Sequence, residues 1–137
     1  MREFTEAQLK LAAAWRERER HHHGTLELTR FSPQLFPKVV ITEGVKDLAD
    51  LVGGYWLLDL IATWQTYDNK LKGEDFQVWR LDLNKQDKGA AAVCENGNGD
   101  ELHRVEMEYT DFPLPDLSLF CIKDERGGHT IMLPSEN

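Results

Sequence analysis

Cysteine is scarce in this chain, with Cys94 and Cys121 the only two among 137 residues. Their separation fits no metal-ligand spacing, and two thiols build no disulfide framework, so the expectation is a protein of the reducing cytoplasm. Long apolar runs are missing too. The most apolar stretch, 55–62, is broken by Asp59 and falls well short of the roughly 20 residues that span a bilayer. The first residues lack the charged and apolar blocks of a secretory signal. Positive charge is in deficit: 16 Lys and Arg stand against 24 Asp and Glu, a net charge of −8. Residues 1–69 hold 8 basic and 10 acidic side chains and residues 70–137 hold 8 and 14, so the excess lies mainly in the second half. Such a surface repels phosphate backbones, and direct nucleic-acid binding is not expected. It steers basic protein surfaces, although solubility alone accounts for the same charge. The chain also has no P-loop, no dinucleotide fingerprint, no Gly-x-Ser-x-Gly and no His-Glu-x-x-His.

What is present is a pattern of helices followed by strands. Thr5 and Gln8 form a capping box for a helix over 5–20, with Leu11 and Trp15 on one face. Residues 24–41 read as irregular or strand-like because of Pro33 and Pro37, with Val39–Ile41 a short strand or an extended lead-in to the next helix. Thr42 caps the next helix, in which Val45, Leu48, Ala49 and Val52 recur at helical spacing. Gly53-Gly54 ends it. A third helix over about 55–68 is apolar on nearly every side, apart from a strip of Asp59, Thr63 and Thr66, and is expected at the centre of the core. From Phe76 onward the period changes to two. Trp79, Leu81 and Leu83 alternate, as do Val105, Met107 and Tyr109 against Arg104, Glu106 and Glu108. Asn96-Gly97-Asn98-Gly99 marks a hairpin, and Arg126-Gly127-Gly128 a second. The fold class is therefore α+β, with N-terminal helices packed on an antiparallel meander of four or five strands. One domain, 1–137, accommodates this: a helical extension (1–23), a helical half (24–69) and a sheet half (70–137). The ends, Met1–Glu3 and Ser135–Asn137, read as loose.

Five short segments occur in order: Glu43-Gly44-Val45-Lys46-Asp47-Leu48-Ala49, Gly54-Tyr55-Trp56-Leu57-Leu58-Asp59, Phe76-Gln77-Val78-Trp79, Thr110-Asp111-Phe112-Pro113-Leu114-Pro115 and Leu133-Pro134-Ser135-Glu136. Together, over about 30–137, they resemble a family of small uncharacterised proteins of bacteria, phages and plasmids, known only as a domain of unknown function. The resemblance implies no activity and no catalytic residue. It does imply a mobile-element setting, where small acidic proteins often block a host defence enzyme by binding it.

The remaining chemistry is sparse. His21-His22-His23 places adjacent imidazoles about 100° apart on a helix, which suits a polar helix end better than a metal site. Asp59 is a carboxylate on an otherwise apolar helix, so it is expected to be buried and hydrogen-bonded, with a structural role preferred over an acid–base one. Cys94 lies in no nucleophile motif. No catalytic residue, metal or cofactor is assigned. The function expected is a non-enzymatic binding module that meets a host protein or complex with a basic surface, in the manner of an acidic inhibitor of a defence (anti-CRISPR-like) complex. The candidate contact residues are Glu95, Asp100, Glu101, Glu106 and Glu108, with Trp56, Tyr67, Phe112 and Leu114 as apolar anchors. Two alternatives stay open: a small-molecule-binding protein with a pocket near Asp59, and a homo-oligomeric (for instance dimeric) phage or plasmid structural protein.

Overall fold

The computed structural model describes residues 3–22, 28–32, 34–84, 88–114 and 116–137. Helix α1 (Glu6–Glu19) starts at the Thr5 capping box, in which Gln8 N donates to Thr5 Oγ1 at 3.1 Å and Thr5 N to Gln8 Oε1 at 2.8 Å. It buries Ala12 and Trp15, while Leu9 and Ala13 face solvent. Strands β1 (Leu28–Ser32) and β2 (Phe36–Thr42) follow. Helix α2 (Glu43–Val52) ends at Gly53 in the left-handed conformation, φ 71°. Helix α3 (Tyr55–Tyr67) and the single turn α4 (Asn69–Lys72) lead into β3 (Phe76–Leu83), β4 (Ala90–Asn96), β5 (Glu101–Met107), β6 (Asp116–Lys123) and β7 (His129–Met132). A short 3-10 turn, Pro134–Glu136, ends the chain.

The α+β class holds, but the sheet is larger than four or five strands and is not purely antiparallel. Seven strands run in the order β1-β2-β7-β6-β3-β4-β5, with β2 and β7 parallel and every other pair antiparallel. The region before α2, read as irregular or strand-like, supplies two of the seven. Pro37 is compatible with β2 because the ladder to β7 begins only at Val39. The parallel contact is close: a Cβ on Gly128 would lie 2.2 Å from the Lys38 carbonyl oxygen, so only glycine fits there.

All four helices lie on one face of the sheet. The core joins Trp15, Val45, Leu48, Leu58 and Ile61 to the inward strand residues Val39, Ile41, Trp79, Leu81, Cys94, Leu119, Cys121 and Ile131. The expectation for α3 is met on its buried side, where Leu57, Leu58, Ile61, Ala62 and Gln65 are covered. Gln65 and Gln77 join α3 to β3 by a reciprocal amide pair, 2.7 and 2.8 Å, and Gln77 Oε1 also accepts from Trp79 Nε1 at 3.0 Å. Every polar atom of that pair that meets the core is thereby satisfied, as a buried amide requires.

The C-terminus is not loose. Glu136 is buried (5 % exposed) and sits at the N-terminus of α2. Its carboxylate accepts from Thr42 Oγ1 at 2.6 Å, Leu133 N at 3.0 Å and Gly44 N at 3.2 Å. Thr42 Oγ1 in turn accepts from Val45 N at 3.3 Å. Two free amide donors of the first helical turn are thus satisfied, and the negative charge faces the positive end of the helix dipole. A Cβ on Gly44 would meet Leu133 Cδ1 at 2.6 Å and Glu136 Oε1 at 2.7 Å, so glycine is needed for the carboxylate to reach the helix. Two substitutions test this clamp by urea unfolding. Glu136→Ala strips buried donors of their partner and is expected to cost about 2–3 kcal/mol. Gly44→Ala overpacks the same point and is expected to cost about 1–3 kcal/mol. An unfolding midpoint unchanged in both variants would contradict the clamp.

Candidate functional site

On the face of the sheet opposite the helices, no described helix covers the side chains. Strand alternation places Phe76, Val78, Arg80 and Asp82 outward on β3, and register carries the same face across the sheet. Val78 lies beside Phe120, and Phe120 beside Met132; Phe76 lies beside Ile122, and Ile122 beside Thr130. None of these outward residues belongs to the core on the helix side. Phe76, Val78, Phe120, Ile122 and Met132 are each half-buried and form an apolar stripe over the three central strands β7, β6 and β3. The Phe76 and Phe120 rings meet edge-to-face, with centroids 4.9 Å apart. Among the described residues no helix packs over this stripe.

Its flanks are charged. On β4 and β5 the outward charged side chains are Glu95, Glu101, Arg104 and Glu106. Arg80 bonds both Glu95 and Asp82, the latter at 2.7 Å, and Arg104 bonds Glu101 at 2.8 Å. Val93 is only 1 % exposed because its register neighbours are Arg80 and Arg104, whose stems cover it. On the opposite flank, Arg30 on β1 lies beside Val40, and Lys38 precedes Val40 by two positions on β2. Both cations are exposed.

The contact residues expected from sequence do not share one surface. Glu95, Glu101 and Glu106 lie together on the acidic flank, and exposed Glu108 continues the alternation just past β5. Asp100 is exposed in the β4–β5 turn, accepting from Asn96 Nδ2 at 3.2 Å. Tyr67 is exposed (73 %), but it lies at the end of α3 on the helix side. Trp56 is half-buried against the core, edge-to-face with Phe112 at 5.9 Å. Phe112 and Leu114 are not exposed anchors: both are buried, because the Thr110–Leu114 corner folds inward. That corner is tied locally, with Phe112 N donating to Thr110 Oγ1 at 3.2 Å. Asp59 is corrected as well. It is exposed, since α3 turns its polar strip to solvent, and its backbone carbonyl accepts from Thr63 Oγ1 at 2.7 Å. Helical periodicity marked the strip but not which side the sheet would cover.

The apolar stripe was the part that sequence reading missed. Its signal is present: Leu119-Phe120-Cys121-Ile122 is apolar on both parities, and Phe76 and Val78 add apolar residues on the parity opposite to Trp79 and Leu81. A strand covered on one face alone reads as alternating.

Other polar groupings are less well enclosed. His22 accompanies Arg18 on Asp47, at 3.1 and 2.7 Å, and its ring stacks near Trp15. His23 lies outside the described residues. Lys46 pairs with Asp50 at 3.0 Å, and the Tyr55 hydroxyl donates to Asp50. The Tyr55 and Lys46 hydrogen bonds hold the Asp50 carboxyl below its usual range. His22, Lys46, Asp47 and Asp50 border an open cleft of about 560 Å³. A second cleft of about 280 Å³ lies between Trp15, Leu117 and Leu133. Asp59 lines neither. No group of three His, Cys, Asp or Glu able to hold a metal ion occurs among the described residues, and no helix there is long and apolar enough to cross a membrane.

The geometry therefore defines a small α+β protein with helices on one face of a mixed sheet and an apolar, charge-flanked opposite face. The chain belongs to a family of unknown function, DUF6876, whose model matches residues 16–137. The match takes in the end of α1, beyond the 30–137 covered by the five segments. A crystal structure of a protein of unknown function from Enterococcus faecalis is similar at TM-score 0.50 and 23% identity, over 81% of this chain and 98% of that one. That likeness concerns the fold alone. No curated protein matches the chain.

Three buried groups give solution tests. Burial pushes the Cys94 thiol up to about 12, and the Cys121 thiol is raised chiefly by burial, with a smaller contribution from Cys94 two strands away. Neither is a thiolate at neutral pH. Both are expected to ignore a thiol reagent at pH 8 until denaturant is added, and rapid labelling of native protein would contradict their burial. His129 is buried, with Nε2 making no protein hydrogen bond. Burial lowers its pKa, opposed by Asp124 and a backbone bond to Glu74 and assisted by Lys123. The unfolded chain therefore takes up a proton near 6.5 before the native ring does. The His129 contribution is complete above that pH and is lost as pH falls through the lower native value. Stability is expected to drop between pH 7 and pH 5, less steeply in His129→Asn; identical slopes would rule the contribution out.

Proposed function

We propose that this protein acts by binding other protein surfaces through the helix-free face of its sheet, and not by catalysis. The observation that carries the reading is the half-buried stripe of Phe76, Val78, Phe120, Ile122 and Met132 on a face that no described helix covers. Contiguous apolar surface of this kind, rimmed by charge, is typical of contact sites. The carboxylates Glu95, Glu101, Glu106 and Glu108 beside it favour basic partners and raise encounter rates with them. In its narrower form the reading is an acidic inhibitor of a host defence complex, carried by a phage or plasmid. The net charge of −8 and the acidic flank support that form, with Asp100 and Glu108 able to occupy a path otherwise taken by phosphates.

The test is affinity capture from host lysate with three baits: the wild type, Phe120→Asp, and the double variant Glu106→Lys/Glu108→Lys. A specific partner is expected to bind the wild type, to weaken as salt rises, and to be lost by roughly tenfold or more with either altered bait. A partner held equally by all three baits at all salt concentrations would overturn the reading.

A further inference from the structure

We propose that a second copy of this chain covers the helix-free face, packed sheet to sheet about a twofold axis that runs parallel to β6. The proposal rests on the preceding reading that this face is a contact surface, and it names the occupant of the apolar stripe.

Three observations point to a second copy. The first is the composition of the central strands. Residues 119–122 of β6 are apolar on both parities and Phe76 and Val78 continue the outward apolar positions on β3, yet among the described residues helices cover one parity only. A sheet of this pattern calls for a layer on each face, and the described residues supply one.

The second is position. β6 is the fourth of seven strands, so it is the middle of the sheet. A twofold along it sets β6 on its own copy, β3 on β7, β4 on β2 and β5 on β1. The stripe is centred on that line, with Phe120 and Ile122 on β6, Phe76 and Val78 to one side and Met132 to the other. Phe120 then meets Phe120 of the second copy, and Val78 meets Met132, so apolar surface closes on apolar surface.

The third is charge. The β4–β5 flank has Glu95, Glu101 and Glu106 against Arg104, an excess of two carboxylates. The β1–β2 flank has Arg30 and Lys38 and no acid facing outward among the described residues. Neither cation has an ion-pair partner among the described residues. The axis along β6 brings each acidic flank onto a basic one. The other face-to-face twofold, perpendicular to the strands, sets acid on acid and is disfavoured by like charge. Size is adequate: seven strands about 4.8 Å apart and roughly 20 Å long offer about 600 Å² of flat area per copy, before side-chain relief is counted. A standard interface uses about 800 Å² of accessible surface per partner. Asp100 in its turn and Glu108 beyond β5 stay at the rim, open to a basic target.

Size-exclusion with light scattering, and sedimentation equilibrium for the dissociation constant, test this on the full chain. The wild type is expected to have twice the 15.8 kDa chain mass. Phe120→Asp is expected to be monomeric with an unchanged circular dichroism spectrum, since Phe120 lies outside the helix-side core. Arg30→Glu and Glu101→Arg are each expected to weaken the dimer about tenfold, and the double variant Arg30→Glu/Glu101→Arg to recover most of that loss. A monomeric wild type, a dimeric folded Phe120→Asp, or no recovery in the double variant would each overturn the proposal. A monomeric wild type whose partner capture is still lost with Phe120→Asp overturns the dimer and leaves the binding face standing. A Phe120→Asp variant that alters neither mass nor capture overturns both.

Discussion

A buried carboxylate needs donors, and those of Glu136 include the last residue of β2, the first turn of α2, and the residue that follows β7 by one. Removing one partner of such a group leaves the others desolvated, at a cost of about 1–3 kcal/mol and more when charge is involved. The constraint is therefore geometric. β7 must come up beside β2, and it must do so in parallel, for the chain end to reach the α2 N-terminus. Gly44 permits the approach from below and Gly128 permits the strands to close. Once β2 and β7 are paired, the β1–β2 hairpin and the β7-β6-β3-β4-β5 ladder become one seven-stranded sheet.

That joining also decides where the helices go. α2 leaves the end of β2, and α3 turns back across the inner face with Gln65 reaching Gln77. α1 packs its Trp15 into the same layer. The helices are consumed by one side of the sheet. The carboxylates Glu95, Glu101 and Glu106 and the apolar stripe of β3, β6 and β7 are left on the other, and the recognition reading rests on this asymmetry. The buried thiols and the Gln65–Gln77 pair are structural elements of the covered side, and the exposed Asp59 lies away from both described clefts.

Much of the fold was legible. The Thr5–Gln8 cap, the stripe in α2, the Gly53 stop, the inward alternation of Trp79, Leu81 and Leu83, and the Asn96–Asp100 turn are local, and local signals depend on spacing that a sequence displays directly. The strands before α2 were harder, because two prolines obscure a pairing whose partner, β7, lies some ninety positions away. The contact residues were half legible. Glu95, Glu101 and Glu106 share a face because strand alternation and register put them there. Phe112 and Leu114 did not stay on the surface, since a proline-stiffened corner reads the same whether it folds inward or outward. Asp59 shows the same ambiguity on a helix.

The sequence by itself determined the local elements, the α+β class and an acidic, cysteine-poor composition, all of which depend on short-range periodicity and residue type. Only the tertiary structure decided that β7 inserts beside β2, that the last residues are buried, and that one face of the sheet keeps an apolar stripe between oppositely charged flanks. Those facts rest on which distant segments meet, and the meeting is set by a buried carboxylate seeking donors and by glycines that leave room for it. Neither appears in any local pattern.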